Sequence, residues 1–201
     1  MKSTTSRPYR MTARAEAAAR TGERIIDAML ARYAEVPYDR IRLEDVAADA
    51  EVTVQTVIRR FGSKDALLAA TVERELTRLA ADRAAALGES PQHTVHSLVG
   101  YYEDHGALIL KLYAEAGQAA GVPELAARGR QYHVGWCREA FAEALGDGLD
   151  QPTRERRMAQ VVAICDATTW RILRSDGRLS PAQTEVALLE MLLPLLPTRS
   201  R

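Results

Sequence analysis

LEDVAADAEVTVQTVIRRFGSKDALL, residues 43–68, holds two short helical periodicities on either side of a three-residue turn. Leu43, Val46, Ala47 and Ala50 recur at helical spacing and face inward, while Glu44, Asp45 and Asp49 stay in water, which predicts a short helix. Glu51, Val52 and Thr53 form the turn. Val52 is the apolar plug between two crossing helices, and the Thr53 hydroxyl is placed to accept from the free N–H groups that open the next helix. Along that helix Val57 and Phe61 lie one turn apart toward the core, which leaves Val54, Gln55, Thr56, Arg59 and Arg60 outside. The outer face is polar and basic, and no carboxylate occurs from Val52 to Lys64, as a surface that approaches phosphates requires. Gly62 supplies a left-handed stop, and Ser63 caps a further helix from Lys64.

In this arrangement the stretch resembles the DNA-binding domain of TetR-type transcriptional regulators, in which a helix-turn-helix ending in an aromatic residue is followed by Gly-Ser-Lys and a long linking helix. The sharp part of the resemblance runs from Ile25 to Glu73. It implies that Thr53 and Lys64 hold phosphates and that Val54, Gln55 and Thr56 face base edges, in a dimer that responds to a small molecule. Two residues depart from the pattern: Ile58 stands where the family has a phosphate-contacting tyrosine, and Glu51 where the turn has glycine. Arg59 and Arg60 are the replacements for the lost contact. A non-glycine in a left-handed turn costs about 1 kcal/mol.

The 201 residues, 47% of them hydrophobic, suffice for a real core in one large domain or a small domain plus a larger one. Lys plus Arg and Asp plus Glu number 27 each, so attraction to DNA comes from patches, not from the whole molecule. Lys2, Arg7, Arg10 and Arg14 precede the first acid at Glu16, and Arg59, Arg60 and Lys64 cluster in the motif. Cys137 and Cys165 lack metal-ligand spacing, and there is no secretory or membrane-spanning stretch: Glu190 and Pro194 interrupt the longest apolar run, Val186 to Leu196. The expectation is a cytoplasmic protein with reduced thiols.

Taken in order, residues 1–11 are a mobile basic arm, either a plain terminus or one that touches DNA. Residues 12–70 are the helix-turn-helix domain and 71–201 a larger domain for ligand binding and dimerisation, for an all-α fold of about nine helices. The first helix carries Ile25, Ile26, Met29, Leu30 and Tyr33 and ends at Pro37; Arg42 follows, within reach of a phosphate. One helix runs from Lys64 to Leu87 and links the domains. The next opens at Ser90-Pro91, carries Val95, Leu98, Tyr102 and His105, and breaks at Gly106; an apolar segment from Leu108 to Tyr113 follows. Pro123 opens a helix to Leu145, and another runs to Arg174. Ser180-Pro181-Ala182-Gln183 is a capping box. The helix it starts is apolar nearly all round, so a second copy of the chain is expected to cover it, in a twofold dimer built from the last two helices.

The DNA-contacting set is therefore Arg42, Thr53, Val54, Gln55, Thr56, Arg59, Arg60 and Lys64. Tyr102, His105, Tyr113, His133, Trp136, Cys137, Cys165 and Trp170 are the candidates for a small-molecule pocket between helices. Glu115 and Asp166 are the carboxylates placed to meet a cationic ligand. His93 and His96 lie three apart without a third ligand, so no metal site is expected, and neither is a catalytic arrangement or a cofactor. The reading is a homodimeric, ligand-responsive regulator, a repressor by resemblance, bound to a near-palindromic double-stranded operator and to an unidentified effector, with no membrane partner. The competing reading is a helical protein-interaction module of the same fold that no longer reads DNA.

Overall fold

The computed structural model describes residues 7–84, 87–88, 90–117, 122–146 and 148–196, with side chains from residue 15. These residues form nine α-helices and no strand, in two compact units that divide after Glu75. Residues 1–6 of the expected arm lie outside them. Its remainder is helical: α1 spans Arg7–Glu35, beginning before the expected Thr12, with Pro8 in the first turn, where its missing N–H leaves no hydrogen bond unmade.

In the smaller unit, α1 is followed by a 3-10 turn at Tyr38–Arg40, α2 (Leu43–Asp49), α3 (Val54–Phe61) and the first half of α4 (Lys64–Ala84). Ile25, Met29 and Tyr33 of α1, Val46 and Ala47 of α2, Val57 of α3 and Leu67 and Leu68 of α4 are all buried and make the core of this unit. Each buried Ile, Leu, Val or Met among them contributes roughly 1.5–3 kcal/mol. Polar ties hold the rim. Arg32 donates to both oxygens of Asp49, which keeps that carboxyl below its usual range, and Arg74 of α4 pairs with Asp27 and Glu23 of α1 at 2.7 and 3.1 Å.

The larger unit contains the end of α4, α5 (Pro91–Glu115), α6 (Val122–Phe141), α7 (Gln151–Ile164), α8 (Ala167–Arg171) and α9 (Pro181–Leu192). The α5 helix packs against α6, α8 and α9, with Val95, Leu98, Val99 and Tyr102 buried among Trp136, Phe141, Val161, Leu188 and Leu192. Three expectations are corrected here. First, α5 does not break at Gly106. It runs through to Glu115, and the missing Cβ of Gly106 instead makes room for the indole of Trp170 on the helix. Second, α6 ends at Phe141, and Leu145 is buried in the turns that follow.

Third, the helix expected to reach Arg174 is cut between Ile164 and Ala167. The Asp166 side chain accepts from Thr168 N at 2.8 Å and starts α8, while Tyr102 Oη donates to Cys165 O (2.8 Å) and Thr169 Oγ1 to Ala163 O (2.6 Å), so side chains replace the lost ladder. A π-helical turn at Ile172–Asp176 precedes the Ser180/Gln183 capping box, which is formed in full.

Candidate functional site

The α3 helix is built as its residues dictate. Thr53 has extended backbone, its Oγ1 accepts from Thr56 N at 3.2 Å, and the two threonine hydroxyls lie 3.0 Å apart, so the first turn is rigid and the remaining N–H groups of that turn point outward. Val57 is buried, Val52, Val54, Thr56 and Phe61 are half-buried, and Gln55, Ile58, Arg59 and Arg60 are exposed. Gly62 closes the helix at φ +84°, and Ser63 Oγ caps α4 by accepting from Ala66 N. Glu51 takes the left-handed conformation (φ 54°) where glycine would be unstrained, and its carboxylate reaches Arg24 at 3.5 Å.

Three basic residues of the set have internal partners. Lys64 Nζ donates to Tyr38 O (3.0 Å) and Ile41 O (3.1 Å) and sits 4.3 Å from the centre of the Tyr38 ring, which leaves one of its three N–H groups for an outside acceptor. The Arg60 guanidinium lies along α1 at Gly22, where a Cβ would fall 2.2 Å from its Nη2. Arg42 Nε stands 3.6 Å from Glu44, and both side chains are exposed. Gly22 was not singled out from the sequence, although a glycine inside a long alanine-rich helix is itself a sign of close approach.

In the larger unit five of the eight expected pocket residues come together. Tyr102, His133, Trp136, Cys137 and Cys165 are buried. His133 Nε2 is 3.2 Å from Val162 O and 3.6 Å from Cys137 Sγ. Burial, the largest single effect, pushes the His133 pKa down, but the hydrogen bond to Cys137, the charge of Cys137 and the Val162 carbonyl together outweigh it and raise it; Cys165 and His133 together pull the Cys137 thiol down against its burial. Trp170 adjoins Tyr102 at 5.8 Å between ring centres, and the His105 ring lies tilted against Tyr101 at 4.6 Å. Tyr113 stands apart against Arg130, whose guanidinium is 5.2 Å from its ring.

At the centre of the cluster lies a residue the sequence reading passed over. Arg83, 3% exposed in the last turn of α4, has its guanidinium carbon 4.6 Å from the ring centre of Trp136, 5.0 Å from Tyr101, 5.7 Å from Tyr102 and 6.0 Å from Tyr132. The signal was present: Val72, Leu76, Leu79 and Arg83 share one helical face. The two carboxylates expected to meet a cation are otherwise engaged, Glu115 with Lys111 at 2.6 Å and Asp166 in capping α8. His96 pairs with Glu185 at 3.0 Å. Among the described residues there is no metal-binding cluster, and no helix is long and apolar enough to cross a membrane.

The profile of the bacterial regulatory proteins of the tetR family matches residues 25–71, the segment that contains this head. The HTH-type transcriptional repressor KstR of Mycolicibacterium smegmatis is 34% identical over 163 residues, covering 77% of this chain and 78% of that protein. The chain belongs to the TetR family of bacterial regulatory proteins, and its relatives are transcriptional regulators, not enzymes. The fold is similar to that of a TetR-family regulator from Rhodococcus sp. (TM-score 0.66, 21% identity, 89% of this chain and 100% of that one). It is similar also to that of the regulator FadR from Bacillus subtilis in complex with stearoyl-CoA (TM-score 0.67, 15% identity, 87% of this chain and 99% of that one).

Proposed function

We propose that the protein is a dimeric, effector-responsive transcriptional repressor acting in the cytoplasm, which reads a near-palindromic operator with one α3 from each copy. The observation that carries this reading is the outer face of α3: a threonine-capped N-terminus, Gln55, Arg59 and Arg60 exposed, and no carboxylate from Val52 to Lys64. Gln55 and Thr56 read base edges with Val54 beside them. Arg59 contacts bases or phosphate, while Thr53, Arg60, Arg42 and the remaining N–H of Lys64 hold phosphates.

Dimerisation falls to the last two helices. Val186, Met191 and Leu193, with Ile172, are exposed apolar side chains in that region, and a second copy gives them cover. An effector in the larger unit moves α4, which extends from Lys64 to Ala84, and so changes the separation of the two reading helices; a half-site spacing set by the DNA period tolerates little change. A head that has exchanged DNA for a protein partner is the second reading, favoured by Ile58, which is 41% exposed.

Selection of bound duplexes from a random DNA pool, followed by a salt titration of the winner, separates the two. A near-palindromic site with steep salt dependence supports the repressor. Enrichment of no sequence by the folded dimer at low salt removes the DNA-reading assignment. On the selected site Lys64→Ala weakens all sequences alike and lowers the salt slope by about 1, whereas Gln55→Ala alters preference at one position.

A further inference from the structure

We infer that Arg83 is the anchor for the carboxylate of an apolar monocarboxylic acid, whose body packs on the rings of Tyr101, Tyr102, Tyr132 and Trp136. This rests on the reading of the larger unit as effector-binding and names the chemistry of what it binds.

The argument starts from what burying this side chain costs. A guanidinium is always charged and carries five N–H donors. Taken 97% out of solvent it loses hydration that only hydrogen-bond acceptors or an opposite charge replace. Among the described residues Arg83 Nε and Nη1 are buried and reach no acceptor, and Trp136 Nε1 beside them is in the same condition. The four ring faces, the Tyr102 hydroxyl and the partial negative charge at the C-terminus of α4 make the cation tolerable, yet none of them satisfies Nε or Nη1. The Cys137 sulfur feels the charge of Arg83, but its hydrogen bonding goes to His133 and Cys165 and not to the guanidinium. Asp166 caps α8, and Glu115 is tied to Lys111.

The surroundings then select the ligand. The four side chains that ring the guanidinium are all aromatic, so the site supplies one positive charge and broad apolar faces. One carboxylate matches the planar fork of one arginine, in two parallel N–H···O bonds; a phosphate ester with two charges asks for a second fixed cation. The indole N–H of Trp136 is a further donor for the carboxylate or for another oxygen of the ligand. Tyr102 and Trp136 are buried, but Tyr101 and Tyr132 are only half-buried, so these two are the residues of the cage that solvent reaches.

The chain has two tryptophans, Trp136 at the cage and Trp170 against Tyr102, so its intrinsic fluorescence reports on this place. The full chain is titrated, without DNA, with dodecanoate and dodecanol and with 3-phenylpropanoate and 3-phenylpropanol. At least one acid is expected to bind ten or more times more tightly than its own alcohol, and Arg83→Gln to abolish that preference while its melting temperature is not lowered. The proposal is overturned if no acid is preferred to its alcohol, or if Arg83→Gln keeps the preference. It is overturned as well if Arg83→Gln and the bulkier Arg83→Met both melt well below the wild type, because Arg83 is then a structural residue. Operator release is scored separately: an acid that binds through Arg83 and leaves the DNA complex intact keeps the site and removes the effector role.

Discussion

The six-membered ring of Trp170 rests on the backbone of α5 at Gly106, so closely that a Cβ there would fall 2.4 Å from Cζ3. The indole cannot retreat freely, because its Nε1 donates to Glu103 at 2.9 Å and its ring abuts Tyr102. Gly106→Ala is therefore expected to destabilise the chain by about 1–3 kcal/mol, although alanine is the better helix former by about 1 kcal/mol. Gly135 of α6, exposed with nothing within 4 Å of the added atom, is the control: Gly135→Ala follows propensity and stabilises. Urea denaturation of both variants measures the contrast, and equal shifts for the two would show that Trp170 does not press on Gly106.

The same pair explains where sequence reading succeeded and where it failed. The features of the head are local: Thr53 caps its own helix, Gly62 ends it, and Val57 is buried by a spacing visible in the sequence, so α2, α3 and the outer face of α3 were legible. Gly106 was read as a helix break because glycine ends helices, whereas its reason for being glycine is an indole 64 positions further along the chain. The cut between α7 and α8 was hidden likewise, since Asp166 fits a continuous helical pattern as well as it fits a cap and the hydroxyl that stabilises the cut comes from Tyr102. Arg83 lay on a buried face in plain view, but a lone cation there reads as a solvated residue until the four rings around it are known.

Glu51 holds φ 54° without a glycine, and its ion pair with Arg24 lies largely in solvent, with the carboxylate side chain 83% exposed. Such a pair contributes little, while the left-handed conformation costs about 1 kcal/mol for a residue with a Cβ. Glu51→Gly is expected to stabilise the head by about 0.5–1 kcal/mol, the gain being trimmed by the freer unfolded chain. Thermal unfolding checks this. A loss of stability would mean that the Arg24 contact outweighs the backbone strain.

Glu103 accepts from Arg174 Nε at 2.7 Å, from Arg174 Nη2 at 2.8 Å and from Trp170 Nε1 at 2.9 Å, and Arg174 foremost holds its carboxyl below the usual range. A depressed folded pKa means stability that is fully present above the unfolded value, near 4.3, and that disappears as pH falls through the folded value beneath it. Because solvent screens this partly exposed pair, Glu103→Gln should lower stability at neutral pH by no more than about 1 kcal/mol and lose less than the wild type on acidification below about pH 4.5. Parallel acid limbs in urea-melt series from pH 7 to pH 3 would exclude Glu103 as a contributor.

Val186 is 55% exposed and Met191 39% exposed on α9, a helix whose other side buries Thr184, Leu188 and Leu192. If these side chains face a second copy, a charge at either place leaves the isolated chain nearly unaffected and ruins the dimer. An uncompensated carboxylate in an apolar interface costs several kcal/mol, whereas in water it costs almost nothing. Val186→Glu and Met191→Glu are expected to sediment as folded monomers with helical content intact, and to lose operator affinity at least a hundredfold, because two half-sites are then bound independently. Dimers that persist in both variants would move the interface away from α9. A folded monomer that still bound the full operator with wild-type affinity would remove the need for a dimer.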